Sequence, residues 1–162
     1  MDNNKLNKVK ILSRSAIYIS LYIALCYVFA PISFGMIQVR IAEALCIMPL
    51  FDPFAIVSIT IACFLSNLLI SVSLIDAVFG SIATFIGLIL IIYIKKNNFF
   101  LKMLPTVLSN AIIIPFVLKY AYGINEPLWL SGLTVGIGEV ISVMGLGYLL
   151  YLYLNKHKDL FL

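Results

Sequence analysis

The sequence predicts an all-α, polytopic membrane protein with about six transmembrane helices. Of its 162 residues, 63% are hydrophobic and 11% are charged, and the mean hydropathy is +1.11. Soluble domains average about half apolar and about a quarter charged residues, so a water-soluble fold would leave too much apolar surface exposed. The length allows one domain, and we expect residues 1–162 to form a single transmembrane domain.

Charged residues, glycines and prolines divide the chain into apolar segments of about the thickness of a bilayer. The predicted helices cover residues 12–31, 40–51, 54–71, 76–95, 102–121 and 128–154. The first follows a basic stretch, but its apolar run exceeds the 7–15 residues or so of a signal peptide, so we expect a span. The second is too short to cross alone, and we expect it to continue irregular chain buried in protein.

The distribution of lysine and arginine predicts the orientation of the spans. In a six-span trace, one side carries the basic residues of segments 5–14, 95–102 and 156–158, and the other carries only Arg40 and Lys119. The positive-inside rule then predicts a multi-pass protein of the cell membrane with both termini in the cytoplasm. This topology accounts for the net charge of +4, and we expect no nucleic-acid partner.

The residues needed for metal or nucleophilic chemistry are scarce. Cys26, Cys46 and Cys63 stand apart within apolar runs, and the single histidine, His157, lies in the C-terminal tail. We therefore expect no metal site, no cofactor and no catalytic activity. The sequence also lacks a Gly-x-x-x-x-Gly-Lys-Ser/Thr loop, so any ATP hydrolysis is expected in partner subunits.

Five polar residues inside the apolar runs are candidates for binding a ligand, because each is costly there unless it pairs or faces a wet cavity. They are Glu43, Asn67, Asp76, Asn110 and Glu139. In the predicted orientation these five can line one outward-facing cavity. Glu139 is the strongest candidate, because it follows two glycines and has no basic residue near it on its helix.

Each of the other candidates also has a purely structural interpretation. Arg40 and Glu43 are three residues apart and can pair on one helical face. Asp76 can cap the N-terminus of its own helix. Asn67 and Asn110 can form interhelical hydrogen bonds.

Small residues recur at four-residue spacing along the first span, at Ala16, Ser20 and Ala24. Such a stripe allows another helix to approach closely. The neighbour is either a helix of the same chain or a helix of a partner protein.

Several stretches, taken together, resemble the QueT family over nearly the whole chain. They are PISFGMIQVRIAEAL at 31–45, DAVFGSIAT at 76–84, NAIIIP at 110–115 and Gly138-Glu139. The resemblance implies the substrate-binding S component of an energy-coupling factor (ECF) transporter for queuosine precursors. It further implies a six-helix bundle that docks, through the stripe on the first helix, on a transmembrane coupling subunit carrying two ATPase subunits. Gln38 and Arg40, in the first stretch, join the candidate substrate-binding residues.

A 7-deazaguanine with an aminomethyl group, or queuine, suits these side chains. A carboxylate can accept the donors of the guanine-like edge, and a second can meet the ammonium group. We assign these tasks to Glu139 and either Glu43 or Asp76, with Asn67 and Asn110 on the ring edge.

Phe34, Phe79 or Trp129 can stack on the heterocycle, or can pack against lipid or core.

Three rival functions remain open at this point. The chain can be an S component for another vitamin-like solute, or a stand-alone secondary carrier with coupling carboxylates at mid-membrane. A membrane enzyme that uses Glu139 and Asp76 as an acid pair is the third.

Overall fold

The computed structural model describes residues 3–33, 39–71 and 73–157, which form helices joined by short connections. Four of these helices are long and apolar enough to cross a membrane, namely Asn7–Val28, Leu74–Tyr93, Phe99–Ala121 and Leu128–Lys156. Two apolar helices, Ile41–Leu50 and Ala55–Ser71, are shorter. The all-α class is therefore confirmed for the described residues, whereas only four of the six predicted helices have the length of a span.

Apart from α1, which begins at Asn3 and not at residue 12, the helical segments lie close to the predicted bounds. In chain order they are α1 (Asn3–Val28), α2 (Ala30–Ser33), a 3₁₀ helix (Ile41–Leu50), α3 (Ala55–Ser66), α4 (Leu74–Tyr93), α5 (Phe99–Ala121), α6 (Leu128–Glu139) and α7 (Gly147–Lys156). Two π-helical segments interrupt this pattern. The first, Asn67–Ser71, extends α3, and the second, Val140–Leu146, joins α6 to α7.

The 3₁₀ helix is the most deeply buried segment of the chain that the structure describes. All of its residues from 42 to 49 are buried, and it packs against α1, α3, α4, α7 and the second π-helical segment. 3₁₀ helices rarely exceed about 3–4 residues, so one of ten needs support from its surroundings. Compared with a membrane span this helix is short, and it is enclosed by other helices of the bundle. The irregular chain expected before it falls on residues 34–38, which lie outside the described residues.

The remaining helices pack largely in sequence order: α1 on α3, α3 on α4, α4 on α5 and α5 on α6. At the α4–α5 contact a Cβ on Gly87 would lie 2.5 Å from the Cα of Thr106, so only glycine permits this approach. Both helices also carry exposed apolar side chains such as Ile82, Ile112 and Phe116. An apolar exterior of this kind is suited to lipid.

Candidate functional site

Three polar side chains from distant parts of the sequence meet where several helices end. Arg40 directly precedes the 3₁₀ helix, and its Nη2 lies 3.7 Å from Oδ1 of Asp76 in the first turn of α4. The Tyr122 hydroxyl, just beyond α5, donates to Oδ2 of Asp76 at 2.9 Å. Partial burial raises the pKa of Tyr122, a hydrogen bond with Ser71 lowers it, and the charge of Asp76 raises it, with a net upward shift, although 41% of Tyr122 remains exposed.

Asn67 joins these residues from the start of the first π-helical segment. Its Oδ1 accepts from Nη1 of Arg40 at 3.4 Å, and its Nδ2 donates to the backbone oxygen of Asp76 at 3.3 Å. Gly80 makes room for this amide, because a Cβ there would lie 2.7 Å from Nδ2 of Asn67. Asn67 therefore connects α3 with α4 and also orients the arginine.

Glu43 lies in the first turn of the 3₁₀ helix and has a separate set of partners. The hydroxyl of Tyr22 on α1 donates to its Oε1 at 2.5 Å, and the thiol of Cys46 donates to its Oε2 at 2.8 Å. All three side chains are buried. Both carboxylate oxygens of Glu43 thus have a donor before any ligand arrives.

Glu139 differs from Glu43 and Asp76 in its hydrogen bonding. It is the last residue of α6, is buried, and interacts electrostatically with Glu43 and Arg40. Its Oε2 has no hydrogen-bond partner among the described residues, and neither has the hydroxyl of Ser142 in the next turn. Buried polar atoms are nearly always paired, so an unpaired one calls for an explanation such as a bound ligand.

We call this group of side chains the polar cluster and define it by its described members. They are Tyr22, Arg40, Glu43, Asn67, Asp76, Tyr122 and Glu139.

Other predicted site residues lie elsewhere or cannot be placed. Asn110 is buried in α5 and donates to the backbone oxygen of Thr106 at 3.2 Å, a contact within its own helix. Phe79 and Trp129 lie on the surface, 48% and 67% exposed, which favours lipid packing over stacking on a ligand. Gln38 and Phe34 fall outside the described residues.

The structure also decides between the structural interpretations. Arg40 pairs with Asp76, and Glu43 with Tyr22 and Cys46, so the predicted alternative of an Arg40–Glu43 pair is wrong. The reason is that the 3₁₀ helix carries Glu43 towards α1 while Arg40 stays beside α4.

The predicted alternative of an N-cap at Asp76 is also wrong. Ser73 is the N-cap of α4, and its hydroxyl accepts from the backbone N–H of Asp76 at 3.3 Å. Gly136 is one of the two glycines before Glu139, and no neighbouring helix approaches it unusually closely. A Cβ at this position would lie at an ordinary distance of 3.5 Å from Ala111.

Sequence reasoning missed the tyrosines that donate to carboxylates. Tyr22 stands within an apolar run, and Tyr122 follows directly after the predicted fifth helix at 102–121, so neither stands out as a polar residue inside the membrane. Asp52 was missed as well: it is buried after the 3₁₀ helix, accepts from the Tyr18 hydroxyl at 3.2 Å, and lies 3.9 Å from Nη1 of Arg14. The Tyr18–Tyr22 spacing of four residues was a signal for one shared helical face.

The small-residue stripe faces outward. Ala16, Ser20 and Ala24 are all exposed, whereas Tyr18 and Tyr22 are buried on the other side of α1. The stripe therefore does not pack within the described chain.

Apolar spans around a buried cluster of charged and amide groups define a multi-pass membrane protein of the transporter class. A family model described as QueT transporter matches residues 12–156. The chain therefore belongs to the QueT transporter family, which implies a non-enzymatic membrane component. Comparisons with curated proteins and with solved structures give no match.

Proposed function

We propose that this protein is the substrate-binding S component of an ECF-type importer and captures a cationic 7-deazaguanine, the aminomethyl precursor of queuosine or queuine. The observation that carries the proposal is the charge of the polar cluster. It buries three carboxyl groups, Glu43, Asp76 and Glu139, beside one arginine. Buried charge is stable only when it is paired, so the cluster is complementary to an added cation.

The three carboxyl groups are not equivalent in this respect. Asp76 has Arg40 and Tyr122, and Glu43 has Tyr22 and Cys46. Glu139 has an oxygen without a donor. We therefore assign the hydrogen-bond donors of the ligand's guanine-like edge to Glu139, and the ammonium group to Glu43, the second carboxylate within electrostatic range.

The two π-helical segments support the same location. Asn67 begins one of them, and Glu139 directly precedes the other. π-Helical turns are rare and are found frequently at functional sites, because the widened turn releases backbone and side-chain groups from regular packing.

The fold that goes with this function is a bundle of six membrane segments in a single domain, with the two shorter helices completing the four long ones. The positive-inside rule places both termini in the cytoplasm and the Arg40–Asp76 pair near the outer face. This orientation presents the polar cluster to solute outside the cell.

The exposed stripe on α1 suits docking to a transmembrane coupling subunit with two ATPase subunits. Ser20→Trp, which fills the stripe, is expected to abolish uptake while leaving solute binding intact. Leu21→Trp is the matched control, since Leu21 is also exposed but lies about 100° further round the helix. Equal uptake by the two variants would count against docking at the stripe.

Binding calorimetry on the purified full chain tests the solute class. The ligands are the aminomethyl and nitrile deazaguanine precursors, queuine, guanine and riboflavin. We expect selective binding of an amine-bearing deazaguanine that is lost in Glu139→Gln and kept in Asp52→Asn, which neutralises a buried carboxylate outside the polar cluster. Tight binding of the nitrile with weak binding of the amine would refute a cationic ligand, and binding of none would remove the queuosine assignment.

A further inference from the structure

Helix α1 is attached to the rest of the described chain through two tyrosines. Among the described side chains of α1, only Tyr18 and Tyr22 are buried, with 7% and 1% of their surface exposed. They are four residues apart and so lie on one helical face. Each hydroxyl donates to a carboxylate: Tyr18 to Asp52 at 3.2 Å and Tyr22 to Glu43 at 2.5 Å.

These two carboxylates bracket the 3₁₀ helix. Glu43 lies in its first turn, and Asp52 follows its end at Leu50. Asp52 also caps the following turn, because its Oδ1 accepts from the backbone N–H of Phe54 at 3.0 Å. Only the Tyr22 bond reaches the polar cluster, whereas the Tyr18 bond is made at the opposite end of the 3₁₀ helix.

The two donors of Glu43 have different origins. Cys46 belongs to the same 3₁₀ helix and moves with Glu43, whereas Tyr22 belongs to α1. A hydrogen bond to a charged group is strong and directional, and more so away from water. The Tyr22 bond therefore couples the orientation of the Glu43 carboxylate to the position of α1.

We propose that Tyr22 is a positioning residue that holds Glu43 in the orientation needed to recognise the ligand's ammonium group, so that this recognition depends on where α1 lies. The inference rests on the proposed function and goes beyond it by bringing α1 into ligand recognition. The face about 180° away on α1 carries Ala16, Ser20 and Ala24. A partner that displaces α1 from that face would therefore shift Glu43 through the Tyr22 bond.

Tyr22→Phe tests the proposal, because it removes the hydroxyl and keeps the buried ring. The quantity to measure is the ratio of the Kd values for the nitrile and aminomethyl deazaguanines, by calorimetry on the purified full chain. We expect Tyr22→Phe to lower the preference for the amine by about tenfold, as for the loss of a hydrogen bond to a charged group. Tyr18→Phe is the matched control and should leave the ratio unchanged.

A ratio is measured because a purely structural role would weaken both ligands alike. An unchanged ratio in Tyr22→Phe, with a wild-type protein that prefers the amine, overturns this inference and leaves the proposed function standing. A wild-type protein that binds neither deazaguanine overturns both. A ratio that falls equally in Tyr18→Phe also overturns the inference, since the effect then does not depend on Glu43.

The double variant Tyr22→Phe with Glu43→Gln examines whether Tyr22 acts through Glu43. If it does, adding Tyr22→Phe to Glu43→Gln changes the ratio no further; an additional tenfold change contradicts the proposal. Infrared difference spectra with ring-labelled tyrosine give a second measurement. A tyrosine band that shifts with saturating amine ligand, is lost in Tyr22→Phe and is kept in Tyr18→Phe supports the proposal, and the absence of such a band overturns it.

Discussion

Arg40 is the cation around which the charged residues of the polar cluster are arranged. Its guanidinium contacts Asp76 and Asn67 and interacts with Glu43 and Glu139 at longer range. The pair with Asp76 is almost completely buried, with side-chain exposures of 10% and 2%. Removing one member of such a pair leaves the other charge buried and uncompensated, which costs more than the pair itself contributes.

Asp76→Asn is therefore expected to destabilise the protein strongly. By analogy with other broken buried pairs, the free energy of unfolding should fall by about 3–5 kcal/mol. The measurement is the thermal unfolding midpoint of the detergent-solubilised protein.

The control for this prediction is the double variant Arg40→Gln with Asp76→Asn, which removes both charges. It should recover part of the lost stability, because no unpaired arginine remains. If Asp76→Asn alone were as stable as the wild type, water or another group would have to compensate the buried charge of Arg40, which would contradict the prediction.

At the scale of helices, glycine decides how closely neighbours pack. Gly87 brings α4 against the backbone of α5, and Gly80 brings α4 against the side chain of Asn67. The contact at Gly87 is with a Cα atom, which cannot move without shifting the helix. The contact at Gly80 is with a side-chain amide that belongs to the polar cluster.

Gly87→Ala is expected to lower the free energy of unfolding by about 1–3 kcal/mol, the range for overpacking, because its Cβ would lie 2.5 Å from the Cα of Thr106. Gly136→Ala is the matched control, since its Cβ makes an ordinary 3.5 Å contact with Ala111. That substitution should be neutral or stabilising, because alanine favours helix more than glycine does. Thermal unfolding in detergent measures both, and equal midpoints would contradict the packing argument.

At the scale of the whole molecule, the long helices and the charged residues are arranged relative to the two faces of the bilayer. Three of the four long apolar helices pack against the short buried 3₁₀ helix, and the lysines concentrate at one end of the predicted trace. Arg14 and Asp52 belong to that end, whereas Arg40, Asp76 and Tyr122 belong to the other. The partly exposed Arg14–Asp52 pair and the buried Arg40–Asp76 pair thus lie towards opposite faces of the proposed membrane protein.

The orientation can be tested with single cysteines in exposed connections. Asn125→Cys lies between α5 and α6, on the proposed outer side, and Asn97→Cys lies between α4 and α5, on the proposed cytoplasmic side. A membrane-impermeant maleimide added to intact cells should label Asn125→Cys and leave Asn97→Cys unlabelled until the cells are opened. Labelling of the wild type measures the background from Cys26, Cys46 and Cys63. Labelling of Asn97→Cys but not of Asn125→Cys in intact cells would show that the topology is inverted.

The sequence by itself determined the helical membrane class and the approximate bounds of the helices, because hydropathy and helix-breaking residues act locally along the chain. It also singled out Glu43, Asn67, Asp76 and Glu139, because a polar residue is conspicuous in an apolar run whatever its partners are. The family resemblance, carried by local stretches of sequence, was confirmed by the match over residues 12–156.

Only the tertiary structure decided which of these residues meet and what each one binds. The pairing of Arg40 with Asp76, 36 positions away, and the bond from Tyr122 to Asp76 depend on how helix ends come together in space. The hydrogen bond of Tyr22 has the same cause: a tyrosine in an apolar span is unremarkable until a 3₁₀ helix brings Glu43 within 2.5 Å of its hydroxyl. Partners of this kind are set by packing between distant segments, which no local pattern of residues specifies.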